Sequence, residues 1–216
     1  MVLMLARRFP LLLMILAAPA LVYAIVRELL QWDEPAHRLA AALYLIHLCW
    51  IVLESRITVS SSQQDERPTD RGTLQFYGTA RAVTVIGATF GANDRHDLHL
   101  WMLATTLLFL GGITLRLVAI HSLGRFYSHS VRALGDHEVV QGGVYRWIRH
   151  PAYAGMILAN TGFVLFFLNP LSVAALVVLL VPSIIVRILI EERLLFAIDG
   201  YPEYASGRRR LIPHVW

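Results

Sequence analysis

The chain has 216 residues, of which 56% are apolar and 16% are charged, and its mean hydropathy is +0.57. A soluble domain is usually about a quarter charged, so this composition argues against an ordinary soluble domain. All 19 basic residues are arginine and the net charge is +4. No basic stripe with interleaved aromatic residues accompanies them, so we expect membrane lipids rather than nucleic acid as the partner. The arginine-only composition suggests a bacterial source.

Six apolar runs follow one another along the chain, and a membrane span needs about 20 apolar residues. They cover approximately residues 9–26, 39–53, 74–90, 98–120, 154–168 and 171–190. The first run is long for the apolar part of a signal peptide, which favours a retained helix. The third contains Arg81, whose charge is costly at membrane depth, so that helix should pack inward, tilt or span only partly. We therefore predict an all-α fold: a polytopic integral membrane protein with five to six transmembrane helices.

The segments between and within these runs give further expectations. The polar composition of residues 54–72 predicts a solvated loop. The glycine pair at 111–112 indicates a close packing site or a kink, and the Asn-Pro link at 169–170 predicts a tight helical hairpin. Cys49 is the single cysteine, lies within an apolar run and is expected to be a buried structural thiol.

The arginines outside the runs predict the orientation. If all six runs cross the bilayer, most of these arginines fall on the side that carries both termini and the polar segment 121–153. Because cytoplasmic loops are enriched in arginine and lysine, both termini and this segment are expected in the cytoplasm, and the membrane would be the bacterial inner (plasma) membrane.

Residues 137–155 carry ionisable side chains that a spanning pattern does not explain. The segment contains a glycine pair, where backbone can approach a ligand closely, and it ends in Arg149-His150-Pro151-Ala152-Tyr153. The proline restricts His150 to extended geometry, which turns Arg149 and His150 out of a helical ladder beside Tyr153. An interfacial anchor is an equally simple interpretation of these residues.

A second ionisable group lies near the end of the last apolar run. Arg187 and Glu191 are four residues apart, so on a helix they share one face. They could simply neutralise each other, but ionisable residues at membrane depth indicate a functional site. The guanidinium group of an arginine can bind a carboxylate or phosphate through two parallel hydrogen bonds. Glu192 and Arg193 lie on neighbouring faces and are expected to be solvated or interfacial.

These segments together form a specific pattern. It reads His-x-x-Val-x-x-Gly-x-Tyr-x-x-x-Arg-His-Pro-x-Tyr-x-Gly from His137, then a proline-linked hairpin, then Arg-x-x-x-Glu-Glu from Arg187. The pattern resembles the isoprenylcysteine carboxyl methyltransferase family of integral membrane methyltransferases over about residues 121–213. Tyr201-Pro202-Glu203-Tyr204 in the tail is also similar to that family.

The resemblance implies S-adenosyl-L-methionine as the cofactor, in a cytosol-facing pocket of the C-terminal half. It implies that Glu191 contacts the cofactor, that Arg187 orients a substrate carboxylate and that Arg149 helps to bind the substrate, with Arg187 and Glu191 as the catalytic pair. The other cofactor-binding residues that it implies are His137, Glu138, Val139, Val140, Tyr145, His150, Pro151, Ala152 and Tyr153. Where family members can offer a glutamine, this chain has Ser130. No metal is expected.

The predicted function is therefore S-adenosylmethionine-dependent O-methylation of the carboxylate of a lipophilic acceptor, either a small molecule or a lipidated peptide. Residues 1–120 would be the helical scaffold and residues 121–216 the catalytic region. A phospholipid or amine N-methyltransferase is the alternative. Less favoured are a membrane sterol-type reductase that uses NADPH, because it shares an Arg-His-Pro-x-Tyr element, and a non-enzymatic membrane scaffold.

Overall fold

The computed structural model describes residues 17–62, 72–91, 96–124 and 139–216. In this part of the chain the regular structure is helical, apart from an isolated bridge between Ile148 and Arg209. Residues 17–29 form α1. The other elements are α2 (Pro35–Ser62), α3 (Thr73–Thr89), α4 (Leu100–Leu123), a 3-10 turn (Gly143–Arg146), α5 (Pro151–Phe167), α6 (Pro170–Ala175), a π-helical turn (Leu176–Leu180), α7 (Val181–Leu195) and α8 (Tyr201–Ser206).

Three stretches of the described helices are long and apolar enough to cross a bilayer. They are Pro35–Ser55 in α2, the whole of α4, and the continuous helix Pro170–Leu195 that α6, the π-helical turn and α7 form together. The 17 residues of α5 are apolar but fewer than the roughly 20 that a span requires. The prediction of an all-α, polytopic membrane protein is confirmed, and the total of five to six spans stays a prediction.

Helices α4 and α5 approach each other closely through small residues. A Cβ added to Gly112 would lie 2.8 Å from the carbonyl oxygen of Gly155 and against the backbone of Ala159. A Cβ added to Gly162 would clash in the same way with the backbone of Phe109. Helix backbones approach this closely only where side chains are absent, as in small-residue motifs of membrane helices. The predicted packing site is confirmed at the second glycine of the 111–112 pair.

Helix α2 extends further than the sequence predicted. It continues to Ser62, so the expected solvated loop from residue 54 is wrong over its first half. The carboxylate of Glu54 is buried, because it forms ion pairs with Arg81 of α3 and Arg116 of α4. The guanidinium of Arg81 also lies 4.3 Å from the centre of the Trp50 ring. One of the predicted arrangements of the third run, inward packing of its arginine, is thereby confirmed.

The thiol of Cys49 is exposed, so the expected buried thiol is wrong. Its neighbour Trp50 faces the core and is 1% exposed, whereas Cys49 points to the outside of α2. An apolar run in a membrane helix is apolar on its lipid-facing side as well, so the run could not show which way the thiol points.

A tight link joins α5 to α6, as predicted. Leu168 ends α5 in a left-handed conformation, with φ of 40°, and the side chain of Asn169 accepts a hydrogen bond from the backbone N–H of Leu171 at 2.8 Å. After Ala175, the last residue of α6, the helix widens into the π-helical turn Leu176–Leu180, just before Pro182. Because proline has no N–H and its ring clashes with the preceding turn, the wide turn accommodates it and sets the rotation of α7.

Candidate functional site

Arg187 is the centre of a partly buried group that we call the inner cluster: Arg187 and Glu191 of α7, Tyr153 of α5, and Thr73 and Tyr77 of α3. The Arg187 side chain donates to the Tyr153 hydroxyl at 3.3 Å from Nε and to the Thr73 hydroxyl at 3.2 Å from Nη1. Its guanidinium carbon lies 5.6 Å from the centre of the Tyr77 ring. Glu191 also interacts with Tyr153 and Arg187.

The inner cluster places a cation where a membrane protein rarely tolerates one. Arg187 is 3% exposed and lies in the helix that spans Pro170–Leu195. Hydroxyl groups and an aromatic face surround much of its guanidinium, with a carboxylate one helical turn away. The two hydroxyl partners are neutral, and a ligand carboxylate would form stronger charge-assisted bonds with the guanidinium than they do.

A second group, the outer cluster, consists of Glu192, Arg149, His150 and Arg210. The Glu192 carboxylate lies 2.9 Å from Nη1 of Arg149, 3.2 Å from Nε2 of His150 and 2.8 Å from Nε of Arg210. Glu192 is 3% exposed, so the expectation that it is solvated or interfacial is wrong. Three basic groups converge on this one carboxylate, which explains why it can be buried.

The chain tail brings Arg210 to this position. The backbone N–H of Arg149 donates to the carbonyl of Arg209 at 2.8 Å, and that of His150 donates to the carbonyl of Arg210 at 2.9 Å. The tail therefore lies along the residues just before α5, in the parallel direction. As a result, the Arg-His-Pro turn is held on one side by the tail and on the other by Glu192.

An apolar wall lies beside the outer cluster and includes the predicted cofactor residues. Tyr145 and Ala152 pack with Tyr201 and Tyr204, and Val139 and Val140 pack against this group. The Tyr204 hydroxyl donates to the Tyr145 carbonyl at 2.9 Å, and burial raises the pKa of Tyr204 to about 12. Burial likewise raises the pKa of Tyr201, whose hydroxyl has no hydrogen-bond partner among the described residues.

The structure brings most of the predicted site residues together. Arg187, Glu191 and Tyr153 meet in the inner cluster, and Tyr153 lies against His150, with ring centres 5.9 Å apart. Arg149 is bound to Glu192, so the fork predicted to bind substrate is partly engaged within the protein. His137 and Glu138, together with Ser130, lie outside the described residues.

Four residues of the two clusters were not predicted. They are Glu192 and Arg210 of the outer cluster and Thr73 and Tyr77 of the inner cluster. The adjacent acidic pair at 191–192 was a usable signal for the first, because two neighbouring carboxylates at membrane depth need two separate sets of partners. Thr73 and Tyr77 gave no such signal in the sequence, since hydroxyl and aromatic side chains are ordinary at the start of a membrane helix.

The residues present fit a nucleoside-type cofactor with a charged group. The apolar wall offers aromatic and aliphatic contacts, the unpartnered Tyr201 hydroxyl offers a buried donor, and the Glu191 carboxylate could accept from an ammonium. Nε of Arg149 is a further buried donor with no partner in the described part of the chain. Within the same residues, no group of three or more His, Cys, Asp or Glu side chains is placed to hold a metal ion.

Comparison with known proteins relates this geometry to a family. Residues 103–197 match the family model of the isoprenylcysteine carboxyl methyltransferase (ICMT) family. The protein-S-isoprenylcysteine O-methyltransferase of Saccharomyces cerevisiae is 38% identical over 118 residues, which are 53% of this chain and 49% of that protein. Protein-S-isoprenylcysteine O-methyltransferase B of Arabidopsis thaliana is 34% identical over 123 residues, 54% of this chain and 62% of the relative. The chain thus spans about half the length of these relatives.

A solved structure described as the eukaryotic intramembrane Ras methyltransferase ICMT aligns with 97% of this chain and 98% of its own, with a TM-score of 0.49 and 19% identity. The family match falls on the segment that builds most of α4, all of α5 and α7, and most of both clusters. The sequence matches confirm the predicted resemblance: residues 103–197 are similar to the isoprenylcysteine carboxyl methyltransferase family.

Proposed function

We propose that this protein is an S-adenosylmethionine-dependent methyltransferase that esterifies the carboxylate of a lipophilic acceptor at the membrane. The observation that carries the proposal is the buried Arg187, which lies inside a spanning helix and donates to the hydroxyl groups of Tyr153 and Thr73. The family match of the surrounding segment supports the reaction type. The names of the relatives support an isoprenylcysteine as the acceptor class. The catalytic region would be residues 121–216 and the scaffold residues 1–120.

In this proposal Arg187 binds and orients the acceptor carboxylate. A carboxylic acid has a pKa of about 4, so it is ionised at neutral pH and needs no general base from the chain. When bound, S-adenosylmethionine supplies an electrophilic methyl group on a sulfonium sulfur. The role of the protein is then to hold the carboxylate oxygen in line with that group and to exclude water. Burial of Arg187 serves both purposes.

The cofactor would lie between the two clusters. Val139, Val140 and Tyr145 would contact its nucleoside part, and Glu191 would accept hydrogen bonds from its ammonium. The turn formed by His150, Pro151 and Ala152, with Tyr153 on its other side, would enclose the rest. His137, Glu138 and Arg149 remain part of the proposed binding set from the family resemblance.

The acceptor and the cofactor would approach from different sides. The arginine distribution supports a cytoplasmic position for both termini and for the tail that packs on the Arg-His-Pro turn. A lipid chain could then enter laterally between the helices, while the water-soluble cofactor enters from the cytoplasm. The bacterial source of the chain stays a prediction, and the relatives named above are eukaryotic.

Two substitutions test the division of roles. Arg187→Ala should lower turnover by at least about 100-fold, because a charge-assisted, bidentate bond to the reacting group is lost, while the Kd for S-adenosylhomocysteine changes little. Glu191→Gln should weaken S-adenosylhomocysteine binding by about tenfold, as expected for loss of a hydrogen bond between charged groups. Equal loss of binding and turnover in Arg187→Ala, or an unchanged Kd in Glu191→Gln, would remove the corresponding role.

The alternatives make different demands on the site. An N-methyltransferase must take a proton from its acceptor amine, and its product would be stable to alkali. A sterol-type reductase would bind NADPH in place of S-adenosylhomocysteine. Titration of the purified protein with both nucleotides separates the reductase from either methyltransferase.

A further inference from the structure

Helix α3 presents a polar stripe to the inner cluster, although the family match begins only at residue 103. Thr73, Tyr77 and Arg81 recur at intervals of four, so they lie on one face of α3, and all three are buried. Thr73 accepts from Arg187 at 3.2 Å, and Tyr77 lies against the same guanidinium. The N-terminal half of the chain therefore contributes to the site as well as to the scaffold.

The hydroxyl of Tyr77 is the unexplained feature of this stripe. The residue is 6% exposed, and its hydroxyl oxygen is buried with no hydrogen-bond partner among the described residues. A buried hydroxyl without a partner destabilises a protein, so such groups are uncommon unless a ligand or an ordered water completes them. A phenylalanine would pack equally well at this position and would avoid the penalty.

We propose that the Tyr77 hydroxyl donates a hydrogen bond to the carboxylate of the methyl acceptor, beside Arg187, so that α3 completes the acceptor site. This inference rests on the proposed function, since it assigns a second donor to the same carboxylate. Tyr77 lies beside Arg187, with the guanidinium carbon 5.6 Å from the ring centre. The proposed carboxylate would contact both the guanidinium and the hydroxyl of that ring. It would be a neutral donor next to a charged one.

The chemistry of the reaction favours such a pair of donors. As the new bond forms between a carboxylate oxygen and the methyl carbon, the bond from that carbon to sulfur breaks, and its electron pair stays on sulfur. An anion and a sulfonium cation thus become a neutral ester and a neutral thioether, and no proton moves. Only one carboxylate oxygen attacks, so a hydrogen bond from Tyr77 to the other fixes the orientation and leaves the nucleophile unblocked.

The test compares Tyr77→Phe with Tyr44→Phe. Both substitutions remove one buried hydroxyl from the bundle, but the Tyr44 hydroxyl donates to the Ala88 carbonyl at 3.2 Å and lies outside the inner cluster. The probes are N-acetyl-S-prenylcysteine and its analogue with an alcohol in place of the carboxylate, measured by calorimetry in detergent micelles. S-adenosylhomocysteine binding is measured on the same samples.

Tyr77→Phe should weaken binding of the carboxylate probe by about tenfold, reduce the preference for carboxylate over alcohol, and leave the Kd for S-adenosylhomocysteine unchanged. Its melting temperature should stay the same or rise, whereas Tyr44→Phe should lower the melting temperature without changing the probe preference. Unchanged probe affinity in Tyr77→Phe, against a wild-type protein that binds the probe, overturns the role of Tyr77 alone. A wild-type protein that binds neither the probe nor S-adenosylhomocysteine overturns the proposed function and this inference together.

Discussion

The adjacent glycines of α4 offer a sharp test of how the site is held, because they face opposite environments. A Cβ added to Gly112 would lie 2.7 Å from the Ala159 Cα, whereas ordinary contacts begin at 3.4 Å. The same Cβ would overlap the backbone nitrogen of Ala159 even more, so helices α4 and α5 would have to separate by more than about 0.7 Å to admit Gly112→Ala. A Cβ on Gly111 meets nothing within 4 Å, so Gly111→Ala is a control that adds the same atom one residue away.

We expect Gly112→Ala to lower the free energy of unfolding by about 1–3 kcal/mol, the usual cost of overpacking a tight core. Gly111→Ala should be neutral, or stabilising by up to about 1 kcal/mol, because alanine favours helix over glycine. Activity should fall with Gly112→Ala as well, since Arg116 of α4 donates to the Ala152 carbonyl at 3.2 Å and thereby positions the start of α5.

Unfolding by denaturant in detergent micelles, followed by circular dichroism, measures both variants against the wild type. The two substitutions differ by one position and are identical in chemistry, so a difference between them reports the α4–α5 contact. Equal stability of the two variants, with full activity in both, would refute the close packing that positions the site.

Three further predictions concern the buried charges and the tail. Glu192→Gln leaves Arg149 buried without its anion and should cost about 3–5 kcal/mol in chemical unfolding, whereas exposed Glu203→Gln should cost nothing measurable. Glu54→Gln should lower the melting temperature, because Arg81 and Arg116 would then be buried without their shared anion; an unchanged melting temperature would contradict these buried ion pairs. Because the pKa of Tyr204 is raised to about 12, the unfolded chain loses this proton first, near pH 10; thermal stability should hold up to about pH 10 and fall between pH 10 and 12.

The sequence was sufficient to predict the centre of the site. Arg187 and Glu191 are recognisable because two ionisable residues at helical spacing are improbable inside an apolar run. The proline after His150 likewise predicts that the His150 side chain lies beside Tyr153, and the observed ring contact agrees with this. The extended geometry predicted for His150 is not observed, because its ψ is 58°.

The environment of the buried carboxylates could not be predicted from local patterns. Glu54 is 27 residues from Arg81 and 62 from Arg116, so neither partner is visible in the local sequence. The polar composition of residues 54–72 therefore suggested a solvated loop. Glu192 depends in the same way on Arg210, 18 residues later, which returns with the tail. A charged side chain at a helix end is expected to be exposed to solvent, and only contacts with residues distant in the sequence can make its burial favourable.

The most direct test of the account is the alkali lability of the reaction product. The purified wild-type protein is supplied with S-adenosylmethionine labelled in the methyl group and with N-acetyl-S-prenylcysteine, and the product is treated with base. We expect label transfer to the acceptor and release of the label by base as volatile methanol, because the bond formed is an ester. Label that stays on the product after base treatment, or no transfer at all, would contradict it.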